Sequence, residues 1–243
     1  MPKRLLLIGT LTGFVSGIFG VGGTFLAVPL LIRFMQLDRR QAQGTALTLV
    51  FSSALMGATA DGVMGGLHFH IIFWLLSGSL VGARVGVFFM KRIPVHFLAK
   101  VFGLFLLFVA LSLGLMHVGP PLWSMDILHL VLLGLLMGFL SGLLGVGGGG
   151  VLIPGLVILF GVAQRTAEGI SLAVIVPTSA MGAYGYLRSR FVVISWLPLL
   201  LPATWFGSLL GVLSANLMPA IWLRYAFAAL LLYLGLRALR AKK

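Results

Sequence analysis

The sequence predicts an all-α polytopic membrane protein built from two inverted-topology repeats. Three observations support this: an apolar composition, a self-similarity at an offset of 125 residues, and a reversal of the positive charges between the halves. Of the 243 residues, 60% are hydrophobic and 9% are charged, and the mean hydropathy is +1.15. A soluble domain carries about 25% charged residues. Most of the surface must therefore face lipid, and apolar stretches of about 20 residues recur, as a bilayer requires.

The net charge of +13 comes with only four acidic residues, which are Asp38, Asp61, Asp126 and Glu168. In a soluble protein such a charge would suggest nucleic-acid binding. Here the basic residues fall in short clusters between apolar segments, which is typical of cytoplasmic loops. We therefore expect a lipid bilayer as partner and no nucleic acid. The chain has no cysteine and its histidines are scattered, so neither a metal nor another cofactor is expected.

The repeat is visible when the chain is shifted by 125 residues. Positions 5–111 then align without a gap on 130–236, with 32 identities at 107 positions. Ten of these pair glycine with glycine, whereas chance would pair about two, so the self-similarity is a true internal repeat. The predicted first repeat covers 1–118 and the second covers 119–243.

Positive charges predict that the second repeat is inverted. Near the predicted helix ends of the first half they lie at Lys3, Arg4, Arg33, Arg39, Arg40, Lys91 and Arg92, and the predicted loop at 61–70 has none. In the second half the matching loop carries Arg188 and Arg190, whereas the loop that matches 91–92 is uncharged. By the positive-inside rule, we expect both termini in the cytoplasm and a multi-pass protein of the cell (inner) membrane.

Each repeat is predicted to begin with a helical hairpin and to continue with three transmembrane helices. An odd number of crossings is what inversion requires. A hairpin arm of 16 residues reaches about 24 Å, less than a hydrocarbon core of about 30 Å. This favours a tip inside the membrane over two complete spans. The predicted segments are a hairpin at about 4–36 with spans at about 40–60, 71–91 and 95–116, then a hairpin at about 127–162 with spans at about 165–187, 193–214 and 219–240.

Each hairpin is interrupted by clustered glycines, and these breaks are the predicted substrate site. Irregular backbone at membrane depth is tolerated only where it is buried or lines a cavity. Breaks at matching positions of two inverted repeats point to a transporter's site, and a helix that starts there suits an anion. Either Thr24 caps the helix, or Pro29 and Pro154 occupy its first position; the sequence leaves both open. The candidate substrate-binding residues in the breaks are Gly20, Gly22, Gly23, Thr24, Gly145, Gly147, Gly148, Gly149 and Gly150.

Other glycines are predicted to be structural. Their four-residue spacing gives the small-xxx-small face that lets membrane helices approach closely. We assign such packing roles to Gly82, Gly86, Gly207 and Gly211. The prolines Pro29 and Pro154 are also assigned structural roles.

Polar residues at the start of each third segment are further candidates for the substrate site. They are Gln43, Thr45, Glu168 and Ser171. They could line a polar path, or they could serve only in capping and helix–helix hydrogen bonds. Glu168 could carry a coupling proton or pair with Arg165. Arg84 has a candidate charge role, because intramembrane charges tend to be functional, although a long side chain also reaches the interface.

The doubled element Ser-Gly-x-x-Gly-x-Gly-Gly, at 16–23 and 141–148 and followed by proline, resembles the TauE/SafE family, also called the 4-toluene sulfonate uptake permease family. The starts of the third segments, 42–47 and 167–172, and the run 82–84 are similar as well. The resemblance covers essentially the whole chain. It implies a transporter for sulfur-containing anions such as sulfite, sulfoacetate or other organosulfonates.

We therefore expect a secondary transporter that moves a small anion by alternating access, with a coupling proton or other ion as a further partner. A passive anion channel and a non-transporting scaffold subunit are the alternatives. An enzyme is not expected, because no base accompanies the repeated serines Ser16 and Ser141.

Overall fold

The computed structural model describes residues 2–63, 68–90, 95–115, 124–144 and 148–240. Within these ranges the chain is helical and forms no strand, which confirms the all-α prediction. Ten α-helices follow one another in this part of the chain: α1 Pro2–Phe19, α2 Thr24–Met35, α3 Arg39–Val63, α4 Phe69–Met90, α5 Val95–Leu115, α6 Ile127–Leu144, α7 Gly149–Phe160, α8 Gln164–Arg188, α9 Leu197–Leu217 and α10 Ala220–Arg240.

The helices follow the order of the predicted segments, with local differences at their ends. Helix α3 continues to Val63, beyond the predicted end at about 60. Helix α9 begins at Leu197, after a 3₁₀ turn over Ile194–Trp196, whereas the predicted span began at about 193. Pro198 is the second residue of α9. Proline is tolerated in a first helical turn because its missing N–H has no partner there.

Five of the described helices are long and apolar enough to cross a membrane. They are Arg40–Val63, Phe69–Gly86, Gln164–Arg188, Ile194–Leu217 and Ala220–Arg240. Large apolar side chains on these helices are exposed, among them Phe73, Tyr184, Phe206 and Trp222. Such an exposed apolar surface suits lipid rather than water.

The chain divides into two compact units, and each combines helices from both sequence repeats. The first unit contains Met1–Ile72 and Glu168–Leu217. In it, α1 packs closely against α9: a Cβ on Gly13 would lie against the carbonyl of Thr204 and 2.8 Å from the backbone nitrogen of Ser208. Only glycine permits this approach, as small-residue packing in membranes predicts.

The second unit contains Phe73–Ala167 and Met218–Lys243. Its helices α4 and α6 repeat the packing of α9 and α1. Gly138 lies against the carbonyl of Ser79, which matches Gly13 and Thr204 at an offset of 125 residues. Gly82 lies against the Leu135 carbonyl, and its equivalent Gly207 lies against the equivalent carbonyl in the first unit. The repeat in the sequence is therefore also a repeat in helix packing.

Helices α5 and α10 form a second close pair within the second unit. A Cβ on Gly103 would lie 3.0 Å from both the Ala238 Cβ and the Gly235 carbonyl oxygen. Near the other end of this pair, the Arg224 Nε donates a hydrogen bond of 2.6 Å to the carbonyl of Leu113. That carbonyl lies in the last turn of α5, where a cation is favourable.

Candidate functional site

The first glycine break separates α1 from α2 in the first unit. Gly20, Gly22 and Gly23 have φ angles of 64°, 79° and 67°. This left-handed conformation is readily available only to glycine. The whole segment from Gly20 to Thr24 is buried. The break is therefore irregular backbone enclosed by protein, as membrane depth requires.

Helix α8 holds one side of the break. The Ser171 hydroxyl donates a hydrogen bond of 2.8 Å to the Gly20 carbonyl oxygen. A Cβ on Gly20 would lie 2.7 Å from the Glu168 Cα and 2.8 Å from its carbonyl oxygen. Glu168 and Ser171, the two candidate substrate-binding residues on α8, thus both contact the first break.

Helices α3 and α8 enclose the middle of the break with apolar groups. A Cβ on Gly22 would lie 3.0 Å from the Val50 Cγ1 and 3.4 Å from the Ile175 Cγ2. Any side chain here would need a positive φ and a displaced neighbour. The absence of a side chain at Gly22 is thus a requirement of the packing.

The structure decides where α2 begins, and neither sequence alternative is correct. Gly23 is the N-cap residue, Thr24 is the first helical residue, and no side chain caps the helix. Pro29 is the sixth residue of α2, inside the helix, and Pro154 occupies the same place in α7. Thr24 is therefore not the cap, and neither proline starts a helix, because left-handed glycine already makes the turn.

The start of α2 presents backbone donors inside the protein. The first N–H groups of a helix have no partner within it. In the described part of the chain, no hydrogen bond uses the N–H groups of Gly22 and Gly23. With 12 residues, α2 is about 18 Å long, shorter than a hydrocarbon core of about 30 Å. A partial positive charge thus lies at a buried helix start.

The second break is described only from Gly148 onward, so Gly145 and Gly147 lie outside the described residues. Gly148 has a φ of 73° and is the N-cap of α7. Gly149 and Gly150 are the first two residues of α7 and are buried. A Cβ on Gly148 would lie 3.1 Å from both the Cγ and the Sδ of Met137. A methionine side chain therefore lies against this helix start.

Three buried serines join α1, α3 and α9 next to the first break. The Ser53 hydroxyl donates to the Ser16 hydroxyl at 2.9 Å, and the Ser208 hydroxyl donates to the Ser53 carbonyl at 2.8 Å. The Ser16 carbonyl in turn accepts the N–H of Gly20 at 2.9 Å. These satisfied bonds fix the end of α1.

Gln43 and Thr45 make their hydrogen bonds away from the first break. Thr45 Oγ1 accepts the N–H of Val193 at 3.2 Å, and Gln43 Oε1 accepts the Tyr186 hydroxyl at 3.4 Å. Both bonds fasten α3 to the end of α8 and the connection that follows it. The structure thus brings Glu168 and Ser171, but not Gln43 and Thr45, to Gly20.

Asp61 is a feature of the site that the sequence interpretation missed. Because α3 continues to Val63, this carboxylate belongs to the helix and is 7% exposed. It lies against Gly169, where a Cβ would be 2.7 Å from the Asp61 Cγ. Glu168 is 3% exposed. Two of the four acidic residues are thus buried around one turn of α8.

The remaining charged candidates give no further site. Arg84 is exposed on α4. Arg165, the sequence-based alternative partner of Glu168, has a buried Nη1 with no hydrogen-bond partner among the described residues. Within the described ranges, no group of three or more His, Asp or Glu residues could hold a metal ion.

Comparison with known proteins decides the family. The model of the family described as "Sulfite exporter TauE/SafE" matches residues 4–238. The chain belongs to the TauE/SafE family. This confirms the resemblance carried by the doubled glycine element, and it makes the chain a membrane transporter protein.

Relatives from bacteria and an archaeon match most of the chain, and each is named a probable membrane transporter protein. The chain is 26% identical to the probable membrane transporter protein YunE of Bacillus subtilis, over 85% of this chain and 86% of that one. It is 28% identical to the probable membrane transporter protein YdhB of the same species, over 94% of this chain and 98% of YdhB. It is 29% identical to the probable membrane transporter protein MJ0441 of Methanocaldococcus jannaschii, over 76% of this chain and 72% of MJ0441.

Proposed function

We propose that this TauE/SafE protein is a secondary transporter that carries a small oxyanion by alternating access. Sulfite is a proposed substrate because the family description names sulfite export, and sulfoacetate and other organosulfonates are proposed because they carry a similar sulfur oxyanion. The observation that carries the proposal is the buried start of α2. There, glycines present amide donors and a helix dipole within an apolar unit.

Backbone N–H donors suit a transported substrate, because the protein must release the substrate after binding it. The α1–α2 hairpin has no titratable residue between Leu5 and Ile32, so the hairpin itself offers an anion backbone dipoles and no fixed cation. Dipoles at a desolvated helix start attract an oxyanion. Transport also requires that binding be weak enough to allow release.

Glu168 and Asp61 are the proposed carriers of a coupling proton. Both carboxylates are buried, and Glu168 lies directly against Gly20. Arg165 lies one turn earlier on α8, Asp61 comes from α3, and the hairpin contributes no charge at the break. A proton taken up with the anion would offset the repulsion between these carboxylates and the substrate.

The repeated packing in the two units supports alternating access. Transporters of this kind rock one inverted repeat or bundle against another around a central site. The reversal of Lys and Arg between the repeats supports an inverted second half. On the same basis we place both ends of the chain in the cytoplasm and the protein in the cell (inner) membrane.

Transport in proteoliposomes tests the function. Purified protein should accumulate radiolabelled sulfite or sulfoacetate, and counterflow should distinguish a carrier from a channel. Replacement of Gly22 by leucine should abolish uptake, because that site is enclosed by Val50 and Ile175. The matched control is Gly185→Leu, since a Cβ at Gly185 meets nothing within 4 Å. Normal uptake by the Gly22 variant would refute the site.

A further inference from the structure

The Thr12 hydroxyl is a fully buried polar group without a partner. Thr12 lies in the middle of α1 with 0% of its side chain exposed. Its Oγ1 has no hydrogen-bond partner among the described residues. Buried polar groups are nearly always hydrogen-bonded, so this exception requires an explanation.

Two other buried threonines in helices satisfy their hydroxyls locally. Thr48 donates to the Gly44 carbonyl at 3.1 Å, and Thr204 donates to the Leu200 carbonyl at 2.5 Å. Both use the carbonyl four residues earlier, the usual solution for a buried threonine in a helix. Thr12 makes no such bond, so its hydroxyl is left for another acceptor.

Thr12 lies at the first glycine break. A Cβ on Gly23 would lie 2.9 Å from the Thr12 Cγ2 and 2.6 Å from its carbonyl oxygen. Gly23 is the N-cap of α2, and no hydrogen bond within the described residues uses its N–H or that of Gly22. The Thr12 side chain therefore packs through its methyl group against the residue that caps α2, and the unbonded hydroxyl belongs to that same side chain.

The second break has a different residue at the equivalent position. Met137 corresponds to Thr12 at the offset of 125 residues, as Gly148 corresponds to Gly23. Met137 is 0% exposed and lies against Gly148. A thioether has no proton to donate. The two helix starts are thus alike in backbone and opposite in side-chain chemistry.

We propose that the Thr12 hydroxyl donates a hydrogen bond to the transported oxyanion at the first break. The break beside Met137 has no hydroxyl that could make an equivalent side-chain bond. This inference rests on the proposed function and adds a specific ligand to it. The chemistry is common to sulfite, sulfonates and carboxylates, because each presents an oxyanion to a hydroxyl donor.

Isosteric substitution tests the role of Thr12. Thr12→Val removes the hydroxyl and keeps the shape, whereas Thr12→Ser keeps the hydroxyl. In proteoliposomes, Thr12→Val should raise the KM for sulfite or sulfoacetate by about tenfold, as expected for a lost hydrogen bond to a charged group. Its maximal rate should change by less than about threefold, and Thr12→Ser should retain a KM near that of the wild type. Thr59→Val is the matched control, since Thr59 is exposed.

Thermal unfolding separates a ligand from a structural hydroxyl. Without substrate, Thr12→Val should unfold at the same temperature as the wild type or higher, because it removes an unsatisfied buried group. Added sulfite should raise the unfolding temperature of the wild type more than that of this variant.

Two results would overturn the inference while the proposed function stands. One is wild-type transport with an unchanged KM in Thr12→Val. The other is a lower unfolding temperature of Thr12→Val without substrate, which would show that the hydroxyl is bonded within the folded protein. If the wild type neither binds nor transports any of these oxyanions, the proposed function fails and this inference fails with it.

Discussion

The Ser171 hydroxyl donates a hydrogen bond to the Gly20 carbonyl oxygen across 2.8 Å. These residues are 151 positions apart and belong to different sequence repeats. The bond satisfies a backbone carbonyl that the left-handed turn at Gly20 would otherwise leave buried and unpaired. It therefore connects the first glycine break to α8, the helix that carries Glu168.

Removal of this hydroxyl should loosen the break. In Ser171→Ala the buried Gly20 carbonyl loses its partner, which costs about 1–3 kcal/mol. We expect a lower unfolding temperature together with reduced uptake of sulfite. Ser189→Ala is the control, because Ser189 is exposed and donates only to the Gly185 carbonyl one turn earlier. Equal unfolding temperatures for the two variants would contradict the assigned role.

Alanine at Gly22 should be far more damaging than alanine at Gly185. A Cβ at Gly22 would require a φ of +79° and would press on the Val50 Cγ1 at 3.0 Å. The left-handed conformation alone costs an L-residue roughly 1–2 kcal/mol. We expect loss of uptake and a lower unfolding temperature for Gly22→Ala, and wild-type behaviour for Gly185→Ala, measured on purified protein. Wild-type stability of Gly22→Ala would show that the packing around Gly22 does not require a residue without a side chain.

Much of the fold could be predicted because its signals are local. Apolar length marks the helices, and glycines such as Gly82 and Gly207 mark the close crossings through their spacing alone. The break at Gly20, Gly22 and Gly23 also follows from local composition, since few other residues tolerate a left-handed backbone.

The site was less predictable because its contacts join distant segments. The sequence placed Asp61 near a loop, because the predicted span ended at about 60. The structure extends α3 to Val63, and the carboxylate then packs on Gly169. Thr12 was also missed: its hydroxyl is notable only because the neighbouring helices bury it without a bond. A single sequence does not reveal which threonine lacks its local acceptor.

Neutralisation of Glu168 should separate anion exchange from proton coupling. Glu168→Gln keeps the size and polarity of the side chain beside Gly20 but cannot release a proton. We expect the variant to exchange labelled for unlabelled sulfite near the wild-type rate, and to lose the acceleration of net uptake by an imposed pH gradient. Fluorescence of a trapped pH indicator would report proton movement in parallel. A wild-type response to the gradient in this variant would exclude Glu168 as the proton carrier.

Cysteine accessibility should establish the orientation of the repeats. The natural chain has no cysteine, so a single introduced thiol is an unambiguous label site. Ser189 and Ser124 are both exposed outside the helices. The positive-inside rule places Ser189, between Arg188 and Arg190, in the cytoplasm, and places Ser124 on the opposite side. In intact cells an impermeant maleimide should therefore label Ser124→Cys and spare Ser189→Cys.

The same labelling in opened membranes provides the control for orientation. Both thiols should react once the reagent reaches the cytoplasmic face, because both side chains are exposed. Retained uptake of sulfite by each variant would show that the label reports the folded transporter. If both thiols reacted equally in intact cells, the two loops would share one side of the membrane. The segment between them, α6 to α8, would then cross the membrane an even number of times, and the odd number of crossings per repeat on which the inversion depends would lose its support.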